Sequence, residues 1–210
     1  MMIQMHEENP KKRDVDAVVN ILKNGGVIIY PTDTGYAFGC DLFNKKGLDK
    51  LIMVKKVDKR KTFSFVCSSM SQLSEYAECP KECFMIIKEF LPGPYTFIMK
   101  ALNSVSKTVS GEKKKVGIRI PLNNIDHALV EGLGNPLISS SLNKFSEIIE
   151  GDLLPLSDPL VIEKIFGKQV DAIIDCGVIE PEFSTVIDIS GDGIEIIRQG
   201  KGSIERLMQE

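Results

Sequence analysis

One stretch limits what this chain can fold into more than any other: Gly25-Gly26-Val27-Ile28-Ile29-Tyr30-Pro31-Thr32-Asp33-Thr34-Gly35-Tyr36-Ala37-Phe38-Gly39-Cys40-Asp41. Residues 27–30 are β-branched or aromatic and read as a buried strand. Pro31 is expected to end it, because proline donates no ladder hydrogen bond and restricts the residue before it. The hydroxyls of Thr32 and Thr34 and the carboxylate of Asp33 then fall on a loop at the strand's C-terminal end. Ligands commonly sit there in α/β folds. Gly35 and Gly39 let backbone approach a ligand, or simply turn the chain. Taken alone, these signals fit a polar strand exit with glycine turns as well as a binding loop.

On either side the pattern alternates between helical and extended periods. Residues 1–13 read as an edge segment or tail. Asp14 is expected to cap a helix running to Asn24, with Val15, Val18, Val19 and Leu22 on one face and Gly25 at its end. Asn44 is expected to cap a second helix to about Val54, striped by Leu48, Leu51 and Ile52. A basic loop, residues 55–62, leads to a strand at 63–67. A short helix from Ser71 follows, and another runs from Pro80 to about Phe90. Leu91-Pro92-Gly93-Pro94 turns the chain into a strand at 95–100. Residues 105–109 are helical or irregular, 113–115 a basic loop, 116–120 a strand, 125–131 a helix and 137–139 a short strand. The next dozen residues look irregular. Ser157 is expected to cap a helix to about Phe166, before strands at 170–175, 184–189 and 194–198. Gly191-Asp192-Gly193 joins the last two as a hairpin. Both βα alternation and hairpins are present, so the sheet should be mixed.

Composition then narrows the function classes. The 210 residues suit one domain, and 43% hydrophobic with 26% charged residues is enough for a sizeable core. A net charge of −3 gives no general pull toward nucleic acid or membrane, so any anion site must be a local concentration of charge. No apolar run approaches the roughly 18 residues of a membrane span, and no signal-peptide core opens the chain. Five cysteines, an odd number, argue for reduced thiols and a cytoplasmic location. Cys79 and Cys83 share a helix face, but with only His6 and His127 in the chain they read as buried small side chains, not zinc ligands.

Polar groups recur at the predicted strand ends: Thr32, Thr34, Arg119, Ser139, Ser141, Asn143, Ser184, Thr185 and Arg198. Histidine poverty excludes a serine triad. Hydroxyls, an amide and guanidinium groups bind phosphate and carboxylate, arginine in bidentate fashion. Such a site works by positioning and charge stabilisation, as phosphoryl and nucleotidyl transfer require. Each serine or threonine alone reads equally as a cap or turn, and Arg119 alone as a surface ion pair.

The same residues resemble a known family. Gly25-Gly26-x-Ile28-x-Tyr30-Pro31-Thr32-Asp33-Thr34-x-Tyr36, Pro92-Gly93-Pro94-Tyr95-Thr96-Phe97, Gly117-x-Arg119-x-Pro121, Pro136-Leu137-Ile138-Ser139-Ser140-Ser141-Leu142-Asn143, and Ser184-Thr185-Val186-x-Asp188 with Arg198-x-Gly200 are similar to five ordered blocks of the YrdC/YciO, or threonylcarbamoyl-AMP synthase, superfamily. The resemblance covers about residues 24–200. It implies an open twisted α/β sheet with flanking helices and a concave basic cavity. It also implies a reaction: L-threonine, bicarbonate and ATP become threonylcarbamoyl-adenylate and pyrophosphate, for adenosine modification in tRNA. Carried across by motif, Lys55 and Arg119 are the catalytic cations, and Thr32, Thr34 and Arg119 contact threonine. Lys55, Arg60, Ser139, Ser141, Asn143, Ser184 and Arg198 hold the nucleotide. ATP is a substrate, and the Mg2+ that offsets its charge is carried by the nucleotide, with no protein ligands.

Departures from the pattern point to the YciO branch. The synthases carry Lys-x-Arg after the second helix; here Lys55 is followed by Val57, with Arg60 three residues on. Losing one such charge-assisted contact costs roughly 10²–10³ in rate. Ser146-Glu147 replaces Ser-Gly, and Leu142 replaces an alanine. An alternative reading is binding of double-stranded RNA or tRNA without catalysis, through Lys55, Lys56, Lys59, Arg60, Lys61 and residues 113–115. A nucleotide sensor that binds ATP without turning it over is a third.

Overall fold

The structure, a computed structural model, describes residues 1–56, 63–103, 105, 114–142, 146–149 and 152–208. In chain order the elements are β1 (Met2–Gln4), α1 (Lys12–Lys23), β2 (Ile28–Thr32), β3 (Gly35–Asp41), α2 (Lys45–Lys55), β4 (Ser64–Val66), α3 (Met70–Ser74), α4 (Lys81–Phe90), β5 (Tyr95–Lys100) and β6 (Lys115–Arg119). Then come α5 (Asn124–Leu133), β7 (Leu137–Ser141), β8 (Ser146–Ile149), β9 (Asp152–Pro155), α6 (Pro159–Phe166), β10 (Ala172–Asp175), β11 (Thr185–Asp188), β12 (Glu195–Arg198) and a 3-10 turn at Glu205–Met208.

Ten strands form one mixed sheet in the order β1-β10-β2-β3-β7-β4-β6-β5-β11-β12, and β8 and β9 pair separately. The β1–β10, β10–β2, β4–β6 and β5–β11 pairs are parallel and the other five antiparallel. Side chains alternate across a strand, so each strand presents one residue set to each face. Ile29, Phe38, Phe65, Phe97, Ile118 and Ile138 point to one face, where α2, α3, α4 and α6 bury them. Ile28, Tyr30, Ala37, Val66 and Leu137 point to the other, under α1 and α5. These two helices cover only part of that face. Beyond Leu137 and Val66 the same side of the sheet turns polar, and that is where the site lies.

Several local expectations are corrected. β2 does not stop at Pro31 but runs through it to Thr32. Pro31 is tolerated because it stands opposite Tyr36, whose carbonyl accepts from Leu142 N–H on the far side. The Pro31–Tyr36 pair therefore exchanges no hydrogen bonds, and the proline's missing donor is not needed there. β3 follows directly, so Thr32, Asp33 and Thr34 occupy the tip of a tight hairpin. Gly39 sits inside β3, where a Cβ would come within 2.8 Å of the Tyr30 ring. α1 begins two residues before Asp14, which lies in the first turn with no capping bond of its own; Lys11 O accepts from Asp14 and Val15 N–H instead. α3 begins at Met70, one residue before the expected Ser71, and Ser69 caps it, accepting from Gln72 N–H at 3.1 Å. Asp158, not Ser157, caps α6, accepting from Leu160 N–H at 2.8 Å. The stretch after β7 holds the β8–β9 hairpin, which period alone did not reveal. The β11–β12 hairpin, the Asn44 cap and the mixed sheet match expectation.

Candidate functional site

The uncovered half of the inward face forms a cavity of about 270 Å³. Much of its floor comes from every second residue of neighbouring strands, Ser64 of β4, Thr96 and Ile98 of β5, Gly117 and Arg119 of β6, and Ser139 and Ser141 of β7, with Phe63, Val116 and Ser140 also lining it. Ser184 just before β11 and Arg198 of β12 close the far side. Register accounts for the grouping, because Ser64 stands beside both Gly117 and Ser139, and Ile98 beside Gly117. Gly117 keeps the floor open, since a Cβ there would lie 2.9 Å from Ser64 Oγ and 3.1 Å from Thr96 Cγ2.

At one end, Arg119 Nη2 donates to Asp33 Oδ1 at 2.6 Å and to Thr34 Oγ1 at 2.9 Å. Both members of the ion pair are 9% exposed. The hairpin tip therefore brings its carboxylate to the strand arginine. Thr32 holds the tip in shape: its hydroxyl donates to Gly35 O at 2.6 Å and accepts from Thr34 N–H at 3.1 Å. Lys201 Nζ adds a bond to Asp33 O at 2.8 Å. Next to this end, Tyr30 donates to Ser139 Oγ at 2.7 Å.

The opposite end is different in charge. Arg198 donates through Nε and Nη2 to Ser184 O, at 3.2 and 2.9 Å, and lies over the Phe183 ring at 4.6 Å. Those partners are neutral, so the cation keeps its charge for the cavity. Ser184 Oγ also meets Thr96 Oγ1 at 3.0 Å. Burial, and then the positive charge of Arg119, pulls the Arg198 pKa below its ordinary value, so the two guanidinium groups act on each other across the site.

The structure thus brings together Arg119, Ser139, Ser141, Ser184 and Arg198 around one cavity, with Thr34 at its Arg119 edge. Thr32 lines an outer groove instead, with Asp33, Leu122 and Lys201. Lys55 reaches the end of β7 from the opposite face of the sheet, donating to Ser140 Oγ and Ser141 O and lying 5.3 Å from the Phe38 ring. It does not line the cavity. Arg60, Asn143 and Val57 lie outside the described residues, as do Lys59, Lys61 and Lys113 of the basic loops; Lys115 is tied to Asp188 at 2.9 Å. Sequence reasoning missed Ser64, Thr96 and Gly117 as cavity lining and Asp33 as the partner of Arg119. Period-2 counting back from Arg119 to Gly117 would have found one of them.

A model described as telomere recombination, for the Sua5, YciO and YrdC proteins, matches residues 20–200. The chain belongs to the Sua5/YciO/YrdC family. Within it, the chain is 36% identical to the uncharacterized YciO protein of Escherichia coli (strain K12) over 202 residues, 96% of each. The crystal structure of E. coli YciO matches with a TM-score of 0.87 over 98% of both chains, at 34% identity. The threonylcarbamoyl-AMP synthase of Coxiella burnetii (strain RSA 493 / Nine Mile phase I) is 30% identical over 165 residues, 78% of this chain and 85% of the synthase. P. abyssi Sua5, solved in complex with L-threonine, shares the fold with a TM-score of 0.88 at 22% identity, spanning all of this chain and 60% of Sua5. The Sua5/YciO/YrdC fold is therefore the observed one: a twisted open mixed sheet with flanking helices. Among the described residues no helix is long and apolar enough to cross a membrane.

Proposed function

We propose that the cavity joins a carbamoylated amino acid to AMP, using L-threonine, bicarbonate and ATP and releasing pyrophosphate, in service of threonylcarbamoyladenosine formation in tRNA. The division of charge along the cavity carries this reading. Arg119 shares a buried ion pair with Asp33, so that end is electrically balanced. A plain anion there would meet the Asp33 carboxylate; a zwitterion offers a carboxylate to Arg119 and an ammonium to Asp33. Arg198, bonded to neutral groups, suits a phosphate. Amino acid and α-phosphate are then neighbours, as adenylation requires. The relatives support the same reading, as a threonylcarbamoyl-AMP synthase and as a Sua5 that binds L-threonine.

The chemistry balances without a protein base of unusual pKa. The threonine ammonium first releases a proton to water; the resulting amine attacks the bicarbonate carbon, an N–H proton and the bicarbonate hydroxyl leave as water, and a carbamate forms. A carbamate oxygen attacks the α-phosphorus, and the bond to the pyrophosphate oxygen breaks with its electron pair. Arg198 and Ser184 stabilise the charge that develops at phosphorus. The lining is hydroxyls and cations rather than carboxylates, which suits a Mg2+ that arrives on the phosphates of ATP rather than one held by the chain. The cavity is smaller than the roughly 300–1,000 Å³ of a whole-ligand pocket, so its deep part takes the reacting groups and leaves adenosine toward the mouth.

Pyrophosphate release from ATP, with bicarbonate and each amino acid in turn, tests the proposal. Release that needs L-threonine and disappears in Arg119→Ala supports it. Release with another amino acid keeps the chemistry and changes the substrate. ATP binding without release under any condition sinks the synthase and favours the RNA- or nucleotide-binding alternative, which steep salt dependence of RNA affinity would then establish.

A further inference from the structure

Among the described residues, three buried side-chain polar atoms lack a hydrogen-bond partner: Arg119 Nε and both carboxyl oxygens of Asp126. Buried polar groups are nearly always paired, so orphans call for an explanation. These three belong together. Asp126 stands in the first turn of α5, 1% exposed, where Asn123 Oδ1 already accepts the Asp126 backbone N–H at 3.2 Å. The short link from Arg119 to α5 runs past Asp33, whose Oδ2 accepts the Leu122 N–H at 3.4 Å, and Asn123 then caps the helix that carries Asp126; Asp33, Arg119 and Glu7 are the charged groups acting on its carboxyl. The orphaned donor and the orphaned acceptors therefore lie in one electrostatic neighbourhood, on the closed side of the site.

Arg119 is held through Nη2 alone, on the Asp33 and Thr34 side. A guanidinium anchored by one terminal nitrogen does not present its two-pronged edge in a fixed direction. Anchoring Nε from behind would aim the Nη1/Nη2 fork at the cavity, the geometry that carboxylates and phosphates prefer.

We infer that Asp126 is a positioning residue for Arg119, whose carboxyl oxygen accepts the Nε–H when a ligand anion draws the guanidinium from Asp33. The inference rests on the proposed function only in its choice of L-threonine as ligand. Burial, with the charge of Asp33, pushes the Asp126 carboxyl well above the ordinary carboxylate range, so the group that accepts is a neutral carboxyl with its carbonyl oxygen. Asparagine keeps that oxygen and leucine removes it.

The test compares wild type, Asp126→Asn and Asp126→Leu. It reads L-threonine affinity by calorimetry and hydrogen exchange of the Arg119 Nε–H by NMR, with and without ligand. Losing a hydrogen bond to a charged group should weaken L-threonine binding by about tenfold or more in Asp126→Leu, while Asp126→Asn stays near wild type. Ligand should slow Nε–H exchange in wild type and Asp126→Asn but not in Asp126→Leu. A merely structural Asp126 predicts the reverse pattern, a leucine variant that folds more stably and binds unchanged, and that result would overturn the inference. Inorganic pyrophosphate is run in parallel. If it slows Nε–H exchange while L-threonine does not bind, the amino-acid reading fails and the role of Asp126 stands. If neither ligand alters Nε–H exchange in wild type, the role of Asp126 fails.

Discussion

The Arg119–Asp33 pair should be worth more to the fold than its single short contact suggests, and worth unequal amounts from its two sides. At 2.6 Å and 9% exposure of both partners, the attraction amounts to about 6 kcal/mol at an effective dielectric of about 20. Desolvation takes most of that back, but removing one partner leaves the other buried and unpaired, at about 3–5 kcal/mol. Arg119→Met leaves Asp33 with one long bond, from Leu122 N–H at 3.4 Å, and removes the positive charge that offsets Asp126. It should approach the top of that range. Asp33→Ala leaves Arg119 still bonded to Thr34 Oγ1. Arg119 thus stays hydrogen-bonded, whereas Asp33 in the converse variant keeps only its long bond, so this loss should fall toward the bottom of the range. Urea unfolding of both single variants and the double at neutral pH gives the comparison, read as midpoint shifts at constant slope. The double should be milder than the sum by about 2–3 kcal/mol. Additivity within about 0.5 kcal/mol, or a cheaper arginine deletion than aspartate deletion, would refute the reasoning.

Other outcomes follow from the same geometry. The raised pKa of Asp126 means the native state keeps a proton that the unfolded chain gives up. This contribution is fully present below the unfolded pKa and is lost as pH rises through the folded one, so Asp126→Asn should gain stability relative to wild type as pH increases, checked by urea midpoints at pH 5 and 8. Gly117→Val should abolish ATP binding, measured by calorimetry, because its Cβ alone comes within 2.9 Å of Ser64 Oγ. Arg198→Ala should remove ATP binding while Arg60→Ala retains it; equal loss in both would mean that the loop arginine has taken over the role of the one absent at Val57. Tyr30→Phe deletes the bond to Ser139 Oγ and should cost about 1 kcal/mol in thermal unfolding.

Much of the fold was legible because local signals agreed with it. Val15, Val18, Val19 and Leu22 repeat at helical spacing, and all four are buried. Tyr95–Lys100 was bounded by a proline-rich turn and proved a strand of those limits. Pro31 misled because its rule concerns a donor, and whether a donor is needed depends on the partner strand's bonding phase, here set by Tyr36 facing Leu142. The caps misled by one to three residues for a similar reason. Ser157 and Asp158 are both good N-cap residues, and only the backbone decides which of them faces an open N–H.

The site divides along the same line. Residues that announce themselves by type at strand ends, Arg119, Ser139, Ser184 and Arg198, do converge on the cavity. Lys55 was read by position in a motif, but its helix lies across the sheet, and its ammonium is held at β7 by Ser140 and Ser141. Asp126 carried a signal of its own: it falls three, four and seven residues before Leu129, Val130 and Leu133, on the buried face of α5. An acid in that stripe contradicts the pattern around it, and such conflicts concentrate where function is placed ahead of stability. A buried carboxyl without partners costs the fold free energy, and here it belongs to the charged neighbourhood of the one cavity arginine that an aspartate already neutralises. That pairing of a strained acid with a half-anchored arginine is what separates this site from a plain anion hole.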